Sequence, residues 1–360
     1  MPRYKFDQIA YNIIEKKIPE PGEEKMYIGL EHLDSGNLRV TRWGSDVELT
    51  GEKLRMKKGD ILFGRRNTYL RRAAIAPHDG IFSAHGMIFR PKTDVIDSDY
   101  FPFFISSDYF MDAAIRISVG SLSPTVNWKA LKELEFDIPS LEDQRKSAEV
   151  LQAINDTKEA YQDLLEKTDE LVKSQFIEEF GDTDKNPKNI VVKKWGDIFT
   201  TTTGKLDSNA MVDGGEYPFF TCAKEVYRID QYAFDCEALL LAGNNAVGVY
   251  DVKHYKGKFN AYQRTYVLQL KDPEWSYEFF KNQLEMKLEY LRERSIGSNT
   301  RYLTLKILGD IEFLIPSVEK QQAWELFIKQ SDKSKFELKK NIDSLQALMR
   351  AKQQDDFVNQ

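Results

Sequence analysis

The chain states one phrase twice. Residues 135–144 read EFDIPSLEDQ and residues 312–321 read EFLIPSVEKQ, 177 positions later. At that fixed offset the correspondence runs without a gap from Ser118 to Phe180. SVGS (118–121) lies over SIGS (295–298), Lys129 and Leu131 over Lys306 and Leu308, and EEF (178–180) over DDF (355–357). FSA (82–84) also falls on FNA (259–261). A duplicated chain folds as two similar units, and each copy must end and begin its elements in the same way.

Each copy carries the same local instructions. An apolar, strand-like run (ELEFDIP or DIEFLIP) meets a proline, which disfavours helix for the residue before it. Ser140 or Ser317 follows as a natural N-cap. Acidic residues then occupy the first turn, Glu142 and Asp143 in one copy and Glu319 in the other, where they suit the positive end of the helix dipole. Ser140-x-x-Asp143 resembles a capping box; Lys320 stands in the second copy instead, so the box itself is not duplicated.

Both copies continue with a long helical pattern free of proline and glycine. Leu151, Ile154, Lys158, Tyr161, Leu165, Thr168 and Val172 recur at alternating steps of three and four. Ile328, Ser331, Lys335, Leu338, Ile342, Leu345 and Met349 stand at the same places in the second copy. Two separate surface helices with apolar stripes would show this pattern. So would an antiparallel coiled coil, and the in-frame match of the seams favours the coil. About 40 residues of helix span roughly 60 Å, the dimension of a spacer. Lys158 and Lys335 place one polar pair in the seam, either setting register or snorkelling.

The segments before the long helices read as mixed α/β. KMYIGL, GDILF, GIFSAHGMIF, EALLLA and RTYVLQL have strand character. SDYFPFFISSDYFMDAAIRI and SYEFFKNQLEMKLEYLRERS have helical character. Their openings also correspond, KFDQI (5–9) resembling KWGDI (194–198). The expected fold is α+β with an internal pseudo-two-fold repeat: a globular domain over 1–140, a helix over 141–185, a second domain over 186–317 and a second helix over 318–360.

Charge is distributed unevenly. The formal net charge of −6 argues at first against a DNA partner. Yet residues 141–185 hold thirteen Asp/Glu against six Lys/Arg, whereas residues 51–75 hold eight Lys/Arg against Glu52 and Asp60. One surface can therefore be basic while another is acidic. No apolar run is long enough to cross a membrane, and the N-terminus lacks an apolar signal core. Cys222 and Cys236 are too few for a disulfide framework and read as reduced thiols in a cytoplasmic protein.

Taken together, the two copies of S-x-G-S…L…[IL]-x-I-P-S-x-E-x-Q, each followed by a long helix, resemble the DNA-specificity subunits of type I restriction–modification enzymes. KGDILFGRRNTYLRRAAIAPHDGIFSAHG is similar to that family's G-D-I-L-F-[SG]-R-x-G segment, with Asn67 where glycine is frequent. YPFFTCA (217–223) and KGKFNAYQRTYVL (256–268) resemble a common type of target-recognition domain. The resemblance covers essentially the whole chain. It implies two target-recognition domains reading a split site in double-stranded DNA, with the paired helices setting the unread gap. It also implies partners: two adenine methyltransferase subunits carrying S-adenosylmethionine, and restriction/translocase subunits using ATP and Mg. No cofactor is implied on this chain.

Candidate DNA contacts follow from residue type. Arg65, Arg66, Asn67, Tyr69, Arg71 and Arg72 follow the strand-like GDILF; arginine grips guanine or phosphate bidentately and asparagine pairs with adenine. A solvated loop touching phosphate only is the alternative. Asn244 and Asn245 sit in a glycine-containing loop, where turn chemistry explains them equally well. Tyr262, Gln263 and Arg264 combine a stacking ring, an amide and a guanidinium, though Tyr262 could equally be partly buried in its strand. His85 is the offset counterpart of Tyr262, so the two domains differ where they align.

Chemistry is sparse. No Asn/Asp-Pro-Pro-aromatic loop is present to hold a target amine, NPK (186–188) being the nearest string. AGNNAVG (242–248) lacks the lysine–hydroxyl ending of a phosphate loop. Asp251-x-Lys253 has a nuclease-like spacing that is too common to carry weight. His32, His78, His85 and His254 are scattered, without metal or triad spacing. A non-catalytic DNA-reading scaffold is the expected function; a protein-interaction scaffold and a DNA-modifying enzyme with degenerate motifs are the rivals.

Overall fold

The computed structural model describes residues 1–182, 186–246 and 248–358. The expected ends of the helical segments at 185 and 360, and Val247 of the AGNNAVG loop, lie outside the described residues. The chain forms two compact units: Met1–Gln162 with Lys339–Gln360, and Asp163–Leu338. Each unit therefore contains a globular segment and part of each long helix.

The repeated phrase closes each unit. In the first, Arg3–Lys5 pairs antiparallel with Glu135–Asp137, and the Arg3 guanidinium holds the Asp137 carboxylate at 2.8 Å. In the second, Val191–Lys194 pairs antiparallel with Glu312–Ile315. The phenylalanine of the phrase is a core plug in both. Phe136 is buried with its ring stacked on Phe110 (5.6 Å) and edge-on to Phe104 (5.2 Å). Phe313 is buried edge-on to Phe199 at 5.5 Å. A one-turn helix follows each opening strand, Phe6–Ile9 and Trp195–Ile198, burying one aromatic and one isoleucine each.

The central sheets share an order. In the first unit Ala10–Ile13, Met87–Pro91, Ile61–Phe63 and Ala73–Ile75 are neighbours, all antiparallel. In the second, Phe199–Thr203, Thr265–Leu270, Phe234–Ala242 and Val252–Ala261 repeat that order with longer strands. Both units add a short parallel pair, Tyr27–Ile28 beside Ile81–Phe82 and Phe219–Phe220 beside Asn260–Ala261. The expected strands hold as elements but not all as lengths. Within KMYIGL only Tyr27–Ile28 is strand, because Glu23–Met26 winds into a 3-10 turn behind Gly22. GIFSAHGMIF is two strands, Gly80–Phe82 and Met87–Pro91, separated by a turn. Each expected helix is likewise two: Phe101–Ser106 and Asp108–Arg116, then Tyr277–Met286 and Leu288–Arg294. Ser107 accepts from the Phe110 amide, so its hydroxyl starts a new helix where the first one ends.

The long helices run Leu141–Phe180 and Val318–Val358. Ser140 caps the first through the Asp143 amide at 3.2 Å and also bonds the Asp143 carboxylate at 2.6 Å. The glutamine of the phrase is wholly buried in both copies and staples the joint. Gln144 donates to the Pro139 and Val95 carbonyls (2.9 and 3.0 Å) and accepts from the Asp97 amide (2.7 Å). Gln321 donates to the Pro316 carbonyl (3.0 Å) and accepts from the Ser276 amide (3.1 Å). The side-chain amide thus fixes the angle at which the strand turns into the helix.

All fourteen seam positions are buried or half-buried. Within the second unit, Lys320 meets Glu179 at 3.1 Å and Lys335 meets Asp169 at 3.0 Å, so the two helical segments run antiparallel. Trp324 there packs edge-on against Phe176 and Phe180. Within the first unit, Leu151, Ile154, Leu345 and Met349 join the aromatic core. The end of the second helix is tied in by polar bonds as well. Asp356, buried, accepts from Ser147 (2.7 Å) and Tyr100 (3.2 Å), and Gln353 donates to the Phe103 carbonyl (2.8 Å).

Candidate nucleic-acid interface

The candidate residues of each unit gather on loops that follow equivalent strands. In the first unit the loop after Ile61–Phe63 carries Arg65 to Arg72. It is pinned to a β-hairpin that contains the first S-x-G-S: the Asn67 amide donates to the Pro124 carbonyl (2.8 Å) and the Val126 amide to the Arg65 carbonyl (3.0 Å). Asn67 and Arg71 take left-handed conformations (φ 54° and 49°) on either side of a 3-10 turn. In the second unit the loop after Phe234–Ala242 carries Asn244 and Asn245, which pair antiparallel with Tyr302 and Arg301 of the second S-x-G-S hairpin.

The turn before the equivalent return strand supplies the other candidates. Arg65 donates to the Ala84 carbonyl (3.4 Å), beside exposed His85. The Gly243 amide donates to the Arg264 carbonyl (2.9 Å), which brings Asn244–Asn245 and Tyr262–Arg264 together. A side chain at Gly243 would strike that carbonyl, a Cβ standing 2.2 Å from it, so only glycine permits the approach.

The arginines divide by what already holds them. Arg71 is ion-paired with Asp108 at 2.7 Å and also with Asp112. Arg72 is half-buried and donates to the Leu30 and Arg66 carbonyls (2.9 and 3.1 Å); burial pulls its pKa down. Both act as braces of the loop. Arg66 is exposed and spends one N–H on the Ser123 hydroxyl (2.8 Å), which in turn bonds Asn67 (2.9 Å). Tyr69 is exposed, Gln263 leans on Asp207 at 3.4 Å, and Arg264 is exposed with no side-chain partner among the described residues. Tyr262 is half-buried, its amide bonded to the Phe220 carbonyl (2.9 Å).

Sequence reasoning missed Arg301, which donates to the Arg292 carbonyl (3.4 Å) at the foot of the second hairpin. It also missed that each S-x-G-S segment opens a hairpin whose returning arm supports the candidate loop. The signal was the repeat itself, which runs through both hairpins at one offset.

The side chains of the second unit that could have suggested chemistry lie in its strands and are already engaged. Lys253 is engaged by Asp251 and by the Ala223 carbonyl. His254 lies between Glu278 (2.6 Å) and Glu237 (2.9 Å), stacked on Tyr277. Burial lowers its pKa, but the two carboxylates more than offset this and hold it raised as an ion-pair centre. Burial pushes the Cys236 thiol up, away from thiolate chemistry. Among the described residues no three His, Cys, Asp or Glu could hold a metal ion, and no helix is long and apolar enough to cross a membrane.

Comparison with known proteins agrees with the duplication. The family model of the type I restriction modification DNA specificity domain matches twice, at residues 10–167 and 187–346. The chain is 41% identical over 128 residues to the EcoDI type I restriction enzyme specificity subunit of Escherichia coli, covering 35% of this chain and 27% of that protein. The match thus spans about a quarter of that relative's length. A putative type I specificity subunit of Mycoplasma pneumoniae is 25% identical over 259 residues, 69% of this chain and 94% of that protein. In fold, the crystal structure of a type I restriction–modification S subunit from M. genitalium superposes with a TM-score of 0.59 at 15% identity, covering 99% of this chain and 96% of that one.

Proposed function

Because this chain belongs to the type I restriction–modification DNA specificity family, we propose that it reads a bipartite DNA target and carries out no chemistry itself. Each unit reads one half of the target with the loop after its third sheet strand and the turn before the return strand. Methyl transfer to adenine is the work of two partner subunits that carry S-adenosylmethionine, and cleavage that of restriction subunits using ATP and Mg. The complex works in the cytoplasm.

One observation carries this reading. Both units present the same three-part arrangement on equivalent strands; the supporting hairpin repeats, while the loop and the turn differ. Two halves of one DNA target share a backbone and differ in bases, so a reader of split DNA should vary at the base contacts alone. The free Arg264 and the exposed Tyr69 suit base contact by guanidinium fork and ring.

The test is a genome-wide map of methylated adenines in cells with and without this protein. A bipartite motif of two short half-sites that vanishes with the protein is the expected outcome. Methyl transfer from S-adenosylmethionine to DNA by the purified chain alone would overturn the non-catalytic reading. Specific, salt-sensitive binding by the chain with its methyltransferase partner excludes a protein-only scaffold.

A further inference from the structure

The two S-x-G-S hairpins contain more repetition than the fold requires. Their first serine and their glycine have structural duties. The Ser118 hydroxyl donates to the Ile115 carbonyl (2.7 Å), and the Ser295 hydroxyl to the Arg292 carbonyl (2.6 Å), each ending the preceding helix. Gly120 and Gly297 sit at φ 119° and 114°, where L side chains are strained. The hairpins then close through paired bonds, Val119 with Thr125 and Ile296 with Tyr302. The second serine has no such duty. Ser121 and Ser298 are exposed in both units and, among the described residues, neither hydroxyl has a partner. The main-chain N–H groups of 120–123 and 297–300 also donate no bond among the described residues.

We propose that the two tips, Gly120–Ser123 and Gly297–Thr300, are equivalent seats for DNA phosphate, one in each unit. This rests on the DNA-reading function proposed above. Four open amides and a free hydroxyl at a positive-φ turn form a cradle of donors for an anion. A guanidinium stands beside each: Arg66 is bonded to Ser123, and Arg301 is hydrogen-bonded to Ser295 at 3.5 Å. Residues 118–125 and 295–302 contain no acid, in a chain of net charge −6. The branched apolar residue before each glycine, Val119 or Ile296, is exposed and fits against the sugar between two phosphates. Because each hairpin is strand-paired or hydrogen-bonded to its unit's candidate reading loop, a phosphate seated there sets where that loop meets the bases.

The seat is shared because the phosphate backbone is the part of the target that both halves have in common. Phosphate contacts set position and register, and base contacts set identity. The tips should therefore matter equally for every sequence.

The test uses the full chain assembled with its methyltransferase partner. Ser121→Asp, Ser298→Asp and the pair are compared with the unaltered protein on two duplexes, one carrying the methylated site and one scrambled. Each single change should weaken binding to both duplexes by a similar factor, roughly tenfold, the size of a lost bond to a charged group. The methylated sequence should stay the same, and so should the melting temperature. Ser121→Ala with Ser298→Ala keeps the turn and should give a smaller loss, again equal on both duplexes; this pair decides the matter if the Asp variants misfold. Unchanged binding in the Ala pair and in folded Asp variants overturns the proposal. So does a changed methylated sequence, which would make the tips base readers, or loss of the co-purifying methyltransferase, which would make them a protein contact. If the unaltered complex shows no bipartite specificity, the proposed function fails rather than the seat.

Discussion

The two units build the joint from strand to helix with the same residues and their candidate loops with different ones. At the joint, Phe136 and Phe313 plug the cores and Gln144 and Gln321 staple strand to helix. At the loops, a brace of arginines in the first unit stands where the second has Gly243, Asn244 and Asn245. Equivalent positions that hold the joint's backbone geometry stay alike; those on the candidate loops differ. Even alike positions are not held equally. Gln144 makes three hydrogen bonds and Gln321 two.

That difference gives the largest expected effect. Gln144→Leu keeps the volume but leaves the Asp97 amide and two carbonyls without their partner. It should cost about 3 kcal/mol, and Gln321→Leu about 2 kcal/mol, since each buried group left unpaired costs on the order of 1 kcal/mol or more. Urea unfolding of the two variants checks both values. Equal costs, or none, would mean that the joint is held by the apolar plug alone.

The joint was legible from sequence because its parts are local: proline, cap and a heptad frame all act within a few residues of one another. The seam was readable for the same reason. The loops were only partly legible. Arg65, Arg66, Arg71 and Arg72 look interchangeable in the string. What separates them is Asp108 and Asp112 beside Arg71, and the Leu30 carbonyl beside Arg72, all supplied from about forty residues away. Strand lengths were hidden as well: Tyr27–Ile28 is short because the 3-10 turn Glu23–Met26 runs straight into it. The role of S-x-G-S as a support needed the pairing of Thr125 with Arg66 and of Tyr302 with Asn244, which no local pattern records.

The division of the arginines sharpens the comparison at the level of DNA. Arg264→Ala removes a free guanidinium and should lower methylation of the cognate site by roughly tenfold to a hundredfold, as for a lost bidentate base contact. The relaxation of sequence should fall in one half-site only. Arg71→Ala should leave the methylated sequence unchanged and lower the melting temperature of the first unit instead. Sequencing of methylated DNA beside thermal melts separates these outcomes. A changed motif with Arg71→Ala would return that residue to the reading surface.

The second unit also carries a pH-dependent contribution at His254, held between the Glu237 and Glu278 carboxylates. Its pKa is raised above the ordinary 6.5, so the imidazolium binds its proton more tightly folded than unfolded. The stabilisation is therefore fully present below pH 6.5 and is lost as pH rises through the folded value. Glu278 is held low, chiefly by His254, and its share is lost when acid protonates it. His254→Gln should cost about 1–2 kcal/mol near pH 6 and progressively less at higher pH. Melts of the variant and the parent across pH 5.5–9, roughly centred on the histidine range, should converge at the alkaline end. A constant gap would show that the ring matters by packing on Tyr277 alone.

The seam lysines give the smallest effect and the finest contrast. They occupy the same heptad place, yet Lys158 is only 1% exposed and its ammonium meets the Gly36 carbonyl at 3.1 Å. Burial lowers its pKa, and a nearby Glu159 opposes this incompletely. Lys335 is held by Asp169 and Asp332, each at 3.0 Å, and its pKa is raised despite burial. A desolvated charge with one neutral partner adds little stability, and an apolar residue of similar length often replaces it without loss. Lys158→Met should therefore leave stability unchanged or raise it by up to about 1 kcal/mol. Lys335→Met should lower it by about 0.5 kcal/mol, the scale of a partly exposed ion pair. If both lysines instead cost the same, the seam position itself, and not its surroundings, would set the need for an amine, and its value would lie in fixing the register of the two helices.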